Sequence, residues 1–207
     1  LRMSATVGFA RHVSTALGAT LAQYPSLRLR LLVDDAPIDL INARVDLAVR
    51  FGRLADSTWA ARRLGALEWW LCASPEYLDR HGSPETPEAL LAHGWLGFAR
   101  EGAGLLLDLR GPEGAARSLR VEPRIVSNNQ LSIQQMCEAG LGVALMGSLD
   151  VQDALASGRL VRLLPQWTMG TLDIWAVTPQ RDAQPAKVRQ AIAALQRYLV
   201  TQPGVLE

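Results

Sequence analysis

The chain has 207 residues, 49% hydrophobic, 20% charged and 6% aromatic, a composition that excludes disorder and fits one large domain or two small ones. Twenty-one lysines and arginines face 20 aspartates and glutamates, so the formal charge is +1, and no basic run supplies the phosphate neutralisation that nucleic-acid binding needs. No stretch approaches the ~18 continuous apolar residues of a membrane span, and "LRMSATVGFARHV" lacks the build of a signal peptide.

"LRMSA" reads as a short strand, followed by an amphipathic helix in "TVGFARHVSTALGATLAQYP", where Phe9, Val13, Leu17 and Leu21 recur every fourth residue and Pro25 ends the run. "LRLRLLV" (27–33) alternates as a strand and ends in Asp34-Asp35. Pro37 then opens a short helix over "PIDLINAR", where its fixed φ and missing N–H are harmless. "VDLAVRF" (45–51) is the third strand, which stops abruptly at charge and glycine in Arg50-Phe51-Gly52-Arg53. "GRLADSTWAARRLG" reads as a loop. "EWWLCA" is a strand, and Ser74-Pro75 start the helix "PEYLDRHG". "TPEALLAHG" is a second short helix and "WLGFA" a strand. Between 101 and 123 the glycine and proline content favours hairpin strands. "RIVSNNQLSIQQMCEAGLGVALM" is a strand, a Ser/Asn cap, a helix with Leu131, Met136 and Cys137 inward, and another strand. "SLDVQDALASGRLVRLLP" repeats helix then strand. "TLDIWAVTP" is one more strand, and "PAKVRQAIAALQRYLVT" a helix with Val188, Ile192, Leu195 and Leu199 on one face. Two runs of alternating strands and short helices predict an α/β fold in two lobes of roughly 100 residues each.

Catalytic signatures are missing. The sequence has no G-x-S-x-G, no phosphate-binding loop, no H-E-x-x-H and no C-x-x-C, and "GLGVAL" fails the dinucleotide pattern at its last glycine. His12, His81 and His93 read as surface or capping residues, and none has a neighbour at metal-ligand spacing, so neither metal nor cofactor is expected. Cys72 and Cys137 read as reduced, buried thiols. What remains is a set of strand ends, where open α/β sheets hold ligands against helix N-termini. Those ends are Ser4-Ala5-Thr6, Asp34-Asp35, Phe51-Gly52-Arg53, Phe98-Ala99-Arg100 and Ser127-Asn128-Asn129. Taken singly, Ser4, Thr6 and the asparagines also read as plain N-caps, and Arg50 with Arg53 as a solvated loop pair. Five such ends together point to a binding cleft, and Asp35 is its one candidate for an acid with a chemical role.

"SATVGF", "VDLAVRFGRLADSTWAARRLG", "WWLCASPEYLDRHG", "AGLGVALM" and "LASGRLVRLLP", in that order, resemble the effector-binding domain of LysR-type transcriptional regulators, most of all the glycine-cleavage-activator subgroup. The resemblance covers nearly the whole chain. It implies two Rossmann-like lobes of the type-2 periplasmic-binding-protein fold, joined by crossover strands at "LEWWLCA" and "TLDIWAVTP", with a small effector in the cleft between them. Lobe one then takes 1–67 and 175–207, and lobe two 68–174. It further implies effector contacts from Ser4, Thr6, Asp35, Phe51, Arg53, Phe98, Arg100, Ser127, Asn128 and Asn129. Asp35 stands where a small hydroxylic residue is usual, which favours an amino-acid-like effector beside a simple carboxylate, and "LMGSLD" lacks the usual proline. The family's N-terminal winged helix-turn-helix is absent from this chain. The resemblance thus implies a non-enzymatic, cytoplasmic sensor domain that dimerises, is tetrameric in its parent, and meets DNA only through the missing domain. It also implies that Cys72 and Cys137 lie on well separated elements. A periplasmic solute-binding protein of the same fold is the alternative.

Overall fold

Short apolar runs and amphipathic helices alternate from the first residues, and the backbone follows them. The computed structural model describes residues 1–36, 39–54, 59–98, 104–179 and 184–206. β1 (Arg2–Ala5) leads into α1 (Val7–Gln23), β2 (Arg30–Val33) and β3 (Leu47–Phe51). The long β4 (Trp59–Ala73) is followed by α2 (Pro75–His81), a 3-10 turn at Glu88–Ala92 and β5 (Trp95–Phe98). Then come β6 (Leu105–Arg110), β7 (Ala116–Val121), β8 (Ile125–Ser127), α3 (Gln130–Glu138), β9 (Val143–Gly147), α4 (Ser148–Ala156) and β10 (Val161–Leu163). β11 (Thr171–Pro179), α5 (Ala186–Leu199) and β12 (Val205–Leu206) complete the order. The chain divides into two compact units, Leu1–Leu67 with Leu172–Glu207, and Glu68–Thr171.

In the first unit the strand order is β2-β1-β3-β11-β4, with β12 beside β4. β1 runs parallel to β2 and β3, and β11 runs antiparallel to β3. Helix α1 buries Phe9, Val13 and Leu17, while α5 buries Val188, Ile192, Leu195 and Leu199. Each such side chain contributes roughly 1.5–3 kcal/mol. The two helices pack against each other and are tied by His12 Nδ1 to the Tyr198 hydroxyl at 2.6 Å.

The second unit orders its strands β4-β9-β5-β8, with β10 beside β4 and β6-β7 as a separate hairpin. Its inner strands β5 and β9 are continuous apolar runs because both of their faces are covered. Leu71, Trp95 and Val143 join the core under the hairpin, whereas their next neighbours Cys72, Leu96 and Ala144 join the core under α3 and α4. Side chains alternate across a strand, so one run of adjacent apolar residues supplies both cores.

Several expectations need correction. Trp59–Gly65 is strand and not loop. Its exposed polar residues show no alternation, and the ladder that holds it comes from distant segments, with Arg63 Nε donating to Asp173 at 2.8 Å. Of the helix expected from Pro37, residues 37 and 38 lie outside the described residues. The remainder is a turn capped by Asp39, whose Oδ1 accepts the N–H groups of Ile41 and Asn42, and it stops at Arg44 with φ +49°. On α3 the buried residues are Ile133, Gln134 and Cys137, and Leu131 is 40% exposed. Its inward face is therefore set by Ile133 and Cys137, four residues apart.

Candidate functional site

Parallel pairing fixes what each unit gathers at one edge. In the first unit Ala5 lies opposite Val33 and Ser4 opposite Ala48, so the segments after β1, β2 and β3 leave the sheet on the same side. Thr6 occupies the N-cap position of α1, yet its side chain makes no capping bond. Asp35 does that job from the end of β2, with Oδ1 accepting the Val7 N–H at 2.9 Å. A carboxylate at a helix start satisfies an orphan N–H and meets the positive end of the helix dipole. Ser4 is fully buried, and its hydroxyl accepts from Arg50 Nη2 at 2.9 Å. Arg50 also donates to the Val49 carbonyl at 2.8 Å, and burial pulls its pKa down while Asp34 opposes that.

Arg50 and Arg53 are therefore not a solvated pair. Arg50 is partly buried and braces β1 against β3, while Arg53 is exposed and has no hydrogen bond or ion pair among the described residues. Gly52 makes this separation. Its φ of +74° turns the chain out of β3, and a Cβ there would meet Leu172 Cδ1 at 3.1 Å. The turn is pinned by the Gly52 N–H to Asp173 O at 2.8 Å and by Trp175 Nε1 to Gly52 O at 2.9 Å. Phe51 stacks edge-on against Phe9 of α1, centroids 5.4 Å apart, so its ring belongs partly to the core.

In the second unit Phe98 lies opposite Ser127 in parallel register, which brings the ends of β5 and β8 together. Phe98 is 46% exposed. Asn129 caps α3 with Oδ1 accepting the Ser132 N–H at 2.9 Å, and Ser127 Oγ accepts the Asn129 N–H at 3.1 Å. Asn128, between them, is exposed. Arg100 lies outside the described residues.

Sequence reasoning missed two features. His12 is buried, not on the surface. Arg11 Nε lies 3.1 Å from His12 Nε2, and His12 Nδ1 lies 2.6 Å from the Tyr198 hydroxyl, so both ring nitrogens have polar neighbours. Its spacing from Phe9 is the one sequence sign of an inward face. The cysteines are free but not far apart, since Cys137 Sγ lies 3.4 Å from the Cys72 carbonyl oxygen. Burial pushes the Cys72 thiol up to about 12 and raises Cys137 as well. Among the described residues no group of three His, Cys, Asp or Glu side chains is placed to hold a metal ion.

The model of the LysR substrate binding domain matches residues 1–200. The chain belongs to that family. The HTH-type transcriptional regulator DmlR of Escherichia coli K12 is 36% identical over 200 residues, covering 96% of this chain and 64% of that protein. The HTH-type transcriptional activator AaeR of the same organism is 32% identical over 201 residues, 97% of this chain and 65% of that protein. This LysR domain thus spans a little under two thirds of the length of both. The regulatory domain of CrgA, a LysR-type regulator of Neisseria meningitidis, superposes with a TM-score of 0.82 at 29% identity, covering 95% of this chain and 97% of that one. The full-length virulence activator AphB of Vibrio cholerae gives 0.78 at 28% identity, covering 96% of this chain and 67% of that one. The fold is the type-2 periplasmic-binding-like fold of LysR regulatory domains.

Proposed function

We propose that this LysR domain is the effector sensor of a DNA-binding transcriptional regulator, and that it takes a small carboxylate or amino-acid-like zwitterion at the strand ends of its lobes. The observation that carries this reading is Arg53, an exposed guanidinium without a partner among the described residues, delivered by a core strand to the edge where α1 begins. A guanidinium suits a carboxylate bidentately. Asp35 already supplies an anion to the start of α1, so an effector carrying an ammonium group as well suits that edge better than a pure anion. Ser4 and Arg50 hold the strand ends in place, and Thr6, Phe51, Phe98, Arg100, Ser127, Asn128 and Asn129 complete the proposed contact set.

In this proposal 1–67 with 175–207 act as one lobe and 68–174 as the other. The regulator reading over the solute-binding one rests on the relatives, which are named as HTH-type regulators. The parent binds DNA through a separate N-terminal domain in the cytoplasm, this domain pairs with a second copy, and no enzymatic step is assigned to it. The nearer kinship with the glycine-cleavage-activator subgroup rests on the five quoted segments. A thermal-shift screen of small acids and amino acids, with sugars and simple amines beside them, tests the ligand class. At a hundred times its Kd a true effector adds about 2.7 kcal/mol, which for a domain of this size raises Tm by roughly 5–10 °C. A panel in which only sugars or simple amines raise Tm contradicts the reading.

A further inference from the structure

We propose a second small-molecule site, within the first unit and at the far end of β3 from Arg53, that takes a small monocarboxylate with a compact apolar body. A cavity of about 360 Å³ is lined by Leu40, Ile41, Val45, Trp59 and Pro179 together with Arg44. That volume falls within the ~300–1,000 Å³ of small-ligand pockets. β11 runs antiparallel to β3, so Pro179 at the end of β11 comes beside the start of β3, while Phe51 and Arg53 stand at the other end of that strand. The site is therefore separate from the strand-end site and does not depend on it.

Charge and exposure select the occupant. Asp46 also lines the cavity, but its carboxylate is committed, with Oδ2 accepting from Lys187 Nζ at 2.7 Å and from the Arg2 N–H at 2.8 Å. Arg44 is exposed, and its guanidinium has no hydrogen bond or ion pair among the described residues. It sits on left-handed backbone at φ +49°, a conformation that costs a residue with a Cβ about 1–2 kcal/mol. Beside it Ile41 is 67% exposed, the most exposed large apolar side chain described. A neutral apolar molecule leaves the guanidinium unused, and a dianion finds no second cation because Arg44 is the one cationic side chain among the described residues that line the cavity. One carboxylate on an apolar body uses both features.

The test records amide and indole N–H spectra of the chain during titration with 3-phenylpropanoate, with 3-phenylpropanamide as the neutral control and Trp59→Phe to assign the Trp59 indole. The proposal expects a saturable shift of the Trp59 indole with the acid and at least tenfold weaker binding of the amide. Arg44→Gly relieves the left-handed backbone and so keeps the fold, with Tm unchanged or raised, and should weaken the acid at least tenfold. Ile41→Ser should weaken acid and amide alike. No saturable shift at Trp59, equal binding of acid and amide, or undiminished binding to Arg44→Gly each overturns the site. Shifts centred on the Gly52 amide instead place the probe at the strand ends, which overturns this site and leaves the first reading standing.

Discussion

Arg50 and Arg53 stand three positions apart and differ in everything that matters energetically. Arg50 is partly buried, and the Ser4 hydroxyl is one of its two acceptors. Ser4→Ala should therefore destabilise the protein by about 1–2 kcal/mol in urea unfolding, because a partly buried charged donor loses one of its two partners. A neutral substitution would mean that Arg50 reaches water. The thiols give a second residue-scale test. With Cys72 pushed up to about 12 and Cys137 also raised by burial, the native protein at pH 8 should resist an aromatic disulfide reagent, and the denatured protein should titrate two thiols per chain. Rapid native reaction would show that the core opens readily. The composition of this stretch, charge and glycine after an apolar strand, was enough to mark where the strand ends. Which arginine faces inward was not legible, since it depends on Gly52 turning the chain between them and on Ser4, a residue 46 positions away, accepting Arg50.

At the scale of elements, α1 shows how a local rule yields to tertiary structure. Thr6 is the residue a sequence reading selects as cap, but the carboxylate of Asp35 takes the Val7 N–H. Asp35→Ala should cost about 0.5–2 kcal/mol and Thr6→Ala close to nothing, a contrast that reverses if the hydroxyl is the true cap. Asp46 links three elements' ends, accepting from Arg2 at the start of β1 and from Lys187 on α5, just ahead of β3. Burial works to raise its pKa, but the Lys187 hydrogen bond, the Arg2 N–H and the nearby positive charges outweigh it, and the net shift is downward. A carboxyl depressed in the folded state stabilises above its unfolded pKa and loses that contribution as pH falls through the folded value. Stability should fall on acidification below the ordinary carboxylate range, and Asp46→Asn should flatten that part of the curve, by no more than about 1 kcal/mol for so accessible a pair. An unchanged acid limb would assign the pH dependence elsewhere. Elements with strong periodicity, such as α5, were legible from sequence. Trp59–Gly65 was not, because its exposed stretch Ala60–Arg63, held by distant neighbours, carries no alternation of its own.

For the whole molecule, the two cores of the second unit and the helix-covered sheet of the first follow from short apolar runs alternating with amphipathic helices, and the match to LysR regulatory domains follows from the same pattern. Each unit gathers its polar strand ends by parallel register, which sequence order alone could only suggest. In the proposed function Arg53 holds an effector and not the fold. Calorimetric titration of the hit from the acid and amino-acid screen into wild type and Arg53→Ala tests it directly. An exposed arginine with no partner among the described residues contributes little to stability, so Tm of the free variant should match wild type, while effector binding should weaken by about 2–3 kcal/mol, the loss of a charge-assisted contact. Equal affinity of the two proteins for the effector would overturn that role and leave Arg53 a solvated loop residue.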